Sequence, residues 1–243
     1  MLQHNADEPE DMLKHNLQNL QNQGLDPLAR SLAEEIANSV THGIGLVLSL
    51  AGSLVLLSRL QSQPDVWRWL GCGVFAAALV AVYAASTLSH AAHWPVWRRR
   101  FRILDQSCIY LLIVATYTPF GLEYLRFGWS WVFLTLMWTA ALIGFLSKLL
   151  FMHRIDKATI WSYLLLGWLP IIPAWAYLNL VPLGALAWIL AGGLCYTAGT
   201  VFLVLDHRPF HFHAIWHLFV IAGSACHFCG IFQFVACAPL HAP

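Results

Sequence analysis

Charge is what this sequence has least of. Asp, Glu, Lys and Arg make up 10% of its 243 residues, where a soluble domain carries about 25%. The charges also nearly cancel, to a net +1. That balance excludes the basic surface a nucleic-acid-binding protein needs, so no nucleic-acid partner is expected. Nor do the first residues read as a secretory leader. The first residues, MLQHNADEPEDMLKHNLQNLQNQG, have no basic start and no apolar stretch, and read as a polar tail. Paired cysteine motifs are scarce. Cys226 and Cys229 form the single CxxC, with no second pair and inside an apolar run. They read as packing residues rather than a redox or zinc motif.

What the chain has instead is apolar length. Hydrophobic residues make up 59% of it and the mean hydropathy is +0.63. The twelve tryptophans suit the aromatic belts of a bilayer interface. A membrane span needs about 20 apolar residues, and seven runs qualify: 38–58, 66–90, 104–121, 129–151, 160–178, 182–205 and 213–235. The fold class expected is therefore an all-α integral membrane protein, a seven-transmembrane helix bundle. Residues 1–30 form a polar, partly disordered cytosolic tail, and 31–243 the seven-transmembrane domain.

Basic residues orient the bundle. The second loop carries Arg98, Arg99, Arg100 and Arg102; the fourth has Lys148, Arg154 and Lys157 at or near its ends; the sixth has Arg208. The odd loops carry Arg59 and Arg68, then Arg126, then none. Even loops face the cytosol on this count, with the N-terminus cytosolic and the C-terminus outside. Pro119, Pro170 and Pro173 fall near the outer ends of spans 3 and 5, where they are expected to kink those helices.

Polar groups inside spans are costly and mark function by default. Span 1 opens with Glu35, Asn38 and His42, span 2 closes with Ser86 and His90, span 3 opens with Asp105, and span 7 opens with His213 and His217. Odd spans start inside and even spans end inside, so these groups share one cytosolic slab about 11 Å deep, or two helical turns. Residues four apart share a helix face. His213 and His217 can therefore reach one ion, as can His90 if its helix lies alongside. His211 points elsewhere and reads as an interface residue at the loop edge. Three histidines form a catalytic zinc shell with a fourth position open to water. Asp105 is the candidate to orient the water and take its proton, and Ser86 the candidate to donate to a developing oxyanion or to position a ligand. Glu35, Asn38 and His42 either support the ligands and tie helices together or enter the site directly. His227 lies about 15 Å beyond His217, too far to join it, and reads as a packing or hydrogen-bonding residue, with a separate functional role as the alternative.

The combination of E-x2-N-x3-H (Glu35, Asn38, His42), S-x3-H with a following D-x-S (Ser86, His90, Asp105, Ser107) and H-x3-H (His213, His217) resembles the hemolysin III family, the bacterial branch of the progestin and adipoQ receptor family. TYTPF at 116–120 and GGLCYTAGTVF at 192–202 are similar to the same branch. The resemblance spans about residues 31–236. It implies seven helices around a zinc ion near the cytosolic face, with His90, His213 and His217 as ligands and Asp105 beside the zinc-bound water. It also implies a place in a superfamily of membrane metal-dependent hydrolases that includes alkaline ceramidases.

The expectation is a zinc-dependent intramembrane hydrolase of a lipid amide or ester in the bacterial inner membrane, with membrane lipids as its partners. The alternative is a non-enzymatic regulator of membrane state, or a cytolytic protein, in which zinc is structural.

Overall fold

The computed structural model describes residues 27–61, 65–151, 157–173, 176, 178–205 and 211–239. Seven α-helices occupy them: α1 (Pro27–Leu60), α2 (Val66–Ala91), α3 (Pro95–Tyr124), α4 (Gly128–Phe151), α5 (Lys157–Trp168), α6 (Leu183–Val204) and α7 (Phe212–Ile231). No strand occurs among the described residues. Residues 1–26 of the polar tail, Arg154 and Arg208 lie outside them, and α1 already includes the last residues of the stretch read as tail.

Six helices are long and apolar enough to cross a membrane: all except α5. Their outer faces are apolar. Along α1, Ile36, Val40, Ile44, Val47 and Leu54 are each more than half exposed, while Asn38, His42, Ser49, Leu56 and Leu60 on the opposite face are buried. An exposed apolar stripe of this length would be a liability in water and suits contact with lipid. The protein is a membrane protein on these grounds.

The helices close a ring. Successive helices α1, α2 and α3 pack side by side, α5 bridges α3 to α6, α6 packs along α7, and α7 returns to α1; α4 lies against α3 and α5 on the outside. Close approach of α6 and α7 requires small residues. A Cβ at Gly223 of α7 would stand 2.6 Å from the ring of Tyr196 on α6.

Two elements differ from the sequence reading, both because of proline. The run 160–178 does not form one full helix. Helix α5 stops at Trp168 and continues only as a 3₁₀ turn, Leu169–Ile171, since Pro170 and Pro173 have no N–H to extend the hydrogen-bond ladder. Its 12 residues rise about 18 Å, short of the roughly 30 Å hydrocarbon core. Conversely, α3 begins at Pro95, nine residues before the expected start. Pro95 sits at the N-terminus, where its fixed φ suits a first turn. Arg98 to Arg102 are thereby helical rather than looped. Pro119 does not end α3, which runs on to Tyr124.

Arg68 also departs from its reading as a loop charge. Its side chain is fully buried and forms a bidentate pair with Glu123 of α3, Nε to Oε2 and Nη2 to Oε1, each at 2.7 Å. Its remaining donors reach the carbonyls of Ala238 and Pro239, both at 2.8 Å. The guanidinium therefore clamps the segment after α7 to α2 and α3. The Tyr124 hydroxyl adds a bond to the Phe234 carbonyl, within the π-helical turn Phe232–Ala236.

Candidate metal centre

The groups that the sequence placed at one depth do meet. His90, near the end of α2, and His213 and His217, in the first two turns of α7, bring ligand nitrogens within 4.8 Å of one another. Ring centroids lie 5.2 Å apart for His90–His217, 5.3 Å for His90–His213 and 4.6 Å for His213–His217. His90 and His217 are buried and His213 is half-buried. One turn of helix brings the two rings edge to face on one side of α7. His211 stays out. It precedes α7 at φ 75°, a left-handed conformation uncommon for a residue with a Cβ.

Two of the three histidines are oriented from α1. His90 Nδ1 lies 2.8 Å from Glu35 Oε2. An ionised carboxylate only accepts hydrogen bonds, so Nδ1 carries the proton and the lone pair is left on Nε2. Arg98 and Arg102 stand 3.7 and 3.9 Å from the other oxygen of Glu35. His217 Nδ1 lies 3.1 Å from Thr41 Oγ1. That hydroxyl is also 2.9 Å from the carbonyls of Ala37 and of Asn38, which take its single proton. It therefore accepts from His217 Nδ1–H, again leaving Nε2 free as a ligand. Carboxylate and hydroxyl partners of this kind fix the tautomer and ring orientation of metal-binding histidines. The donor set is neutral, imidazole-rich and partly enclosed, which fits a divalent transition metal such as zinc.

The other candidates take distinct positions. Asn38 is buried, with its backbone carbonyl on Thr41. His42 lies against His217, ring centroids 3.6 Å apart, and neither of its ring nitrogens has a hydrogen-bond partner among the described residues. Asp105 and Ser86 line a cavity of about 110 Å³ that also touches His42, His213 and His217. Ser86 is buried and its hydroxyl lies against the Asp105 carboxyl. Ser107, the last residue of the D-x-S, turns away and donates to the Ile103 carbonyl at 2.7 Å. Away from the histidines, the cavity wall is mainly apolar and aromatic: Leu112, Ile113, Tyr117, Trp168, Trp216 and Val220.

Sequence reasoning overlooked Thr41 and Gln106. Thr41 was legible, since positions 35, 38 and 41 recur at three-residue spacing and so follow one face of α1. Gln106 lines the cavity with Oε1 unpartnered among the described residues.

The family follows from comparison. Residues 30–228 match the family described as Haemolysin-III related. The chain belongs to the hemolysin III family. It is 40% identical over 207 residues to "Hemolysin-3" of Bacillus cereus, covering 84% of this chain and 94% of that one. It is 37% identical over 210 residues to the "Hemolysin-3 homolog" of Bacillus subtilis (strain 168), covering 84% and 96%. A more distant human relative, "Monocyte to macrophage differentiation factor", is 30% identical over 215 residues, covering 85% and 86%. No solved structure matches this hemolysin III family member.

Proposed function

We propose that this protein is a zinc-dependent intramembrane hydrolase that cuts an amide or ester bond in a lipid. The observation that carries the reading is one juxtaposition. Of three imidazoles able to share an ion, two line a mainly apolar cavity whose wall also carries one carboxyl, Asp105, and the hydroxyl of Ser86. In a three-histidine shell, zinc supplies a Lewis acid and makes hydroxide available near neutral pH.

The chain's own residues would do the rest. Glu35 and Thr41 hold the rings of His90 and His217 with Nε2 presented to the centre. Asp105 takes the proton of the attacking water and returns it to the leaving amine or alcohol. Ser86, beside Asp105, donates its O–H to the oxygen on which charge develops. Leu112, Ile113 and Val220 receive the acyl chain and exclude bulk water. A second apolar cavity, of about 310 Å³, adjoins the first at Tyr117, Gly167, Trp168 and Gly193 beside the short α5, and extends the space open to an acyl chain.

In this reading α5 and its 3₁₀ turn make the seventh membrane segment. The N-terminus and the metal centre face the cytosol, the C-terminus lies outside, and the membrane is the bacterial inner membrane. Residues 1–30 are the cytosolic tail and 31–243 the catalytic membrane domain.

The test is mass spectrometry of bacterial lipid extracts incubated with the purified protein in nanodiscs, wild type against Asp105→Asn. Wild type should release a fatty acid from at least one amide- or ester-linked lipid. Asp105→Asn should lower the rate by about 10²–10⁴-fold with its metal content unchanged. If neither protein changes any lipid, and both make vesicles leak, a membrane-disrupting role replaces hydrolysis.

A further inference from the structure

The cavity that starts at the histidine cluster reaches a second polar group that the proposed chemistry does not use. His227 follows His217 by ten residues on α7, about 15 Å farther along the helix, and both line the cavity. His227 is only 2% exposed, and its Nδ1 has no hydrogen-bond partner among the described residues. Its ring stacks on Tyr196 of α6, centroids 5.4 Å apart with planes at 29°. Space for it exists because residue 192 is glycine: a Cβ there would stand 2.4 Å from His227 Nε2.

Tyr196 belongs to a small hydroxyl network. Its OH lies 2.9 Å from Ser224 Oγ, and Tyr83 donates to the same oxygen at 2.9 Å. Three hydroxyls carry three protons and share two hydrogen bonds. One O–H is left over, and when Ser224 donates to Tyr196 it is that of Tyr196, on the cavity wall. A buried imidazole without a partner carries the full desolvation penalty of its nitrogen. A phenylalanine or leucine would fill the same space without that penalty, so packing does not explain the choice of histidine.

We propose that His227 and Tyr196 form a polar subsite at the far end of the cavity, which recognises a hydroxyl group on an acyl chain about 15 Å from the end held at the histidine cluster. A hydroxyl both donates and accepts, and so matches one ring nitrogen and one phenolic O–H. A charged group does not suit the place. No lysine or arginine lines the cavity and its one carboxyl is Asp105 at the other end, so an ion there would be unpaired. The ligand class is a hydroxylated long-chain acyl lipid. The subsite rests on the lipid reading of the cavity but concerns binding, not bond cleavage.

Two probes of equal length test it: dodecanoate and 12-hydroxydodecanoate, whose extended zigzag of roughly 1.5 Å bonds spans about 15 Å. Their affinities for the full-length protein in nanodiscs are measured by calorimetry. Wild type should bind the hydroxylated probe about tenfold tighter, the effect of satisfying one buried polar group. His227→Leu should abolish that preference while still binding dodecanoate, and His227→Gln should retain part of it. If His227→Leu fails to bind dodecanoate and has lost its fold, Tyr196→Phe decides, with an expected loss of most of the preference. An equal affinity of wild type for the two probes, which would leave a buried water as the occupant, overturns the subsite. So does a preference that survives both His227→Leu and Tyr196→Phe. Hydroxyl preference without lipid cleavage sinks the hydrolase and keeps the subsite; cleavage without preference does the reverse.

Discussion

At the scale of single residues, the candidate metal centre turns on which imidazole nitrogen is tied up. Glu35 and Thr41 bind Nδ1 of His90 and His217, so the two side chains on α1 leave Nε2 of each ring available to an ion. Removing a ligand and removing its support should therefore give graded outcomes. Metal analysis of the purified protein should find about one zinc per chain in wild type and none in His90→Ala. Glu35→Gln should keep the site but weaken it by about 10–100-fold, the usual effect of losing such a partner. Thr41→Val loses a neutral hydrogen bond and should weaken it by about tenfold or less. Chelator competition would give the order. Equal affinity in wild type and Glu35→Gln would mean that the carboxylate serves only Arg98 and Arg102, which stand beside it.

At the scale of helices, small residues set how closely elements meet. Gly223 faces the Tyr196 ring at a distance no Cβ can occupy, whereas a Cβ at Gly73 of α2 meets nothing within 4 Å. Gly223→Ala should lower the thermal inactivation temperature in detergent, at a cost of about 1–3 kcal/mol from overpacking. Gly73→Ala should be neutral or stabilising, since alanine favours the helix by up to about 1 kcal/mol. A drop at Gly73 as large as that at Gly223 would disprove the packing explanation.

Much of this level was readable in advance. The apolar runs locate six of the helices, and four-residue spacing pairs His213 with His217. That His90 would meet His217 followed from counting helix ends. What could not be read is contact between helices. Nothing local to Arg68 says that Glu123, 55 residues on, neutralises it, and nothing local to His227 says that it lines the same cavity as His217. Proline effects are legible only in part. Pro119 is absorbed within α3, while Pro170 and Pro173 end α5, because the outcome depends on which neighbours satisfy the freed carbonyls.

At the scale of the whole molecule, orientation and the Arg68–Glu123 pair are linked. Arg68 is buried and paired, so it no longer counts as a free positive charge on the first loop. The excess of arginine at the α2–α3 end, Arg98 to Arg102, becomes correspondingly larger, and the bias toward a cytosolic position there is stronger than the raw count suggested. With α5 as a seventh membrane segment, the chain ends on opposite sides. A fluorescent protein fused at the N-terminus should glow, one fused at the C-terminus should stay dark, and alkaline phosphatase fused at the C-terminus should be active. Both ends reporting the cytosol would mean that α5 does not cross, leaving six spans. The C-terminal fusion also depends on the clamp that Arg68 places on Ala238 and Pro239. Arg68→Met leaves Glu123 buried without its partner and should destabilise the protein by about 3–5 kcal/mol. The double change Arg68→Met with Glu123→Met removes both charges and should recover most of that loss, read as inactivation temperature. Failure of the double variant to recover would show that the hydrogen bonds to the two carbonyls, rather than the ion pair, hold the end of the chain to the bundle.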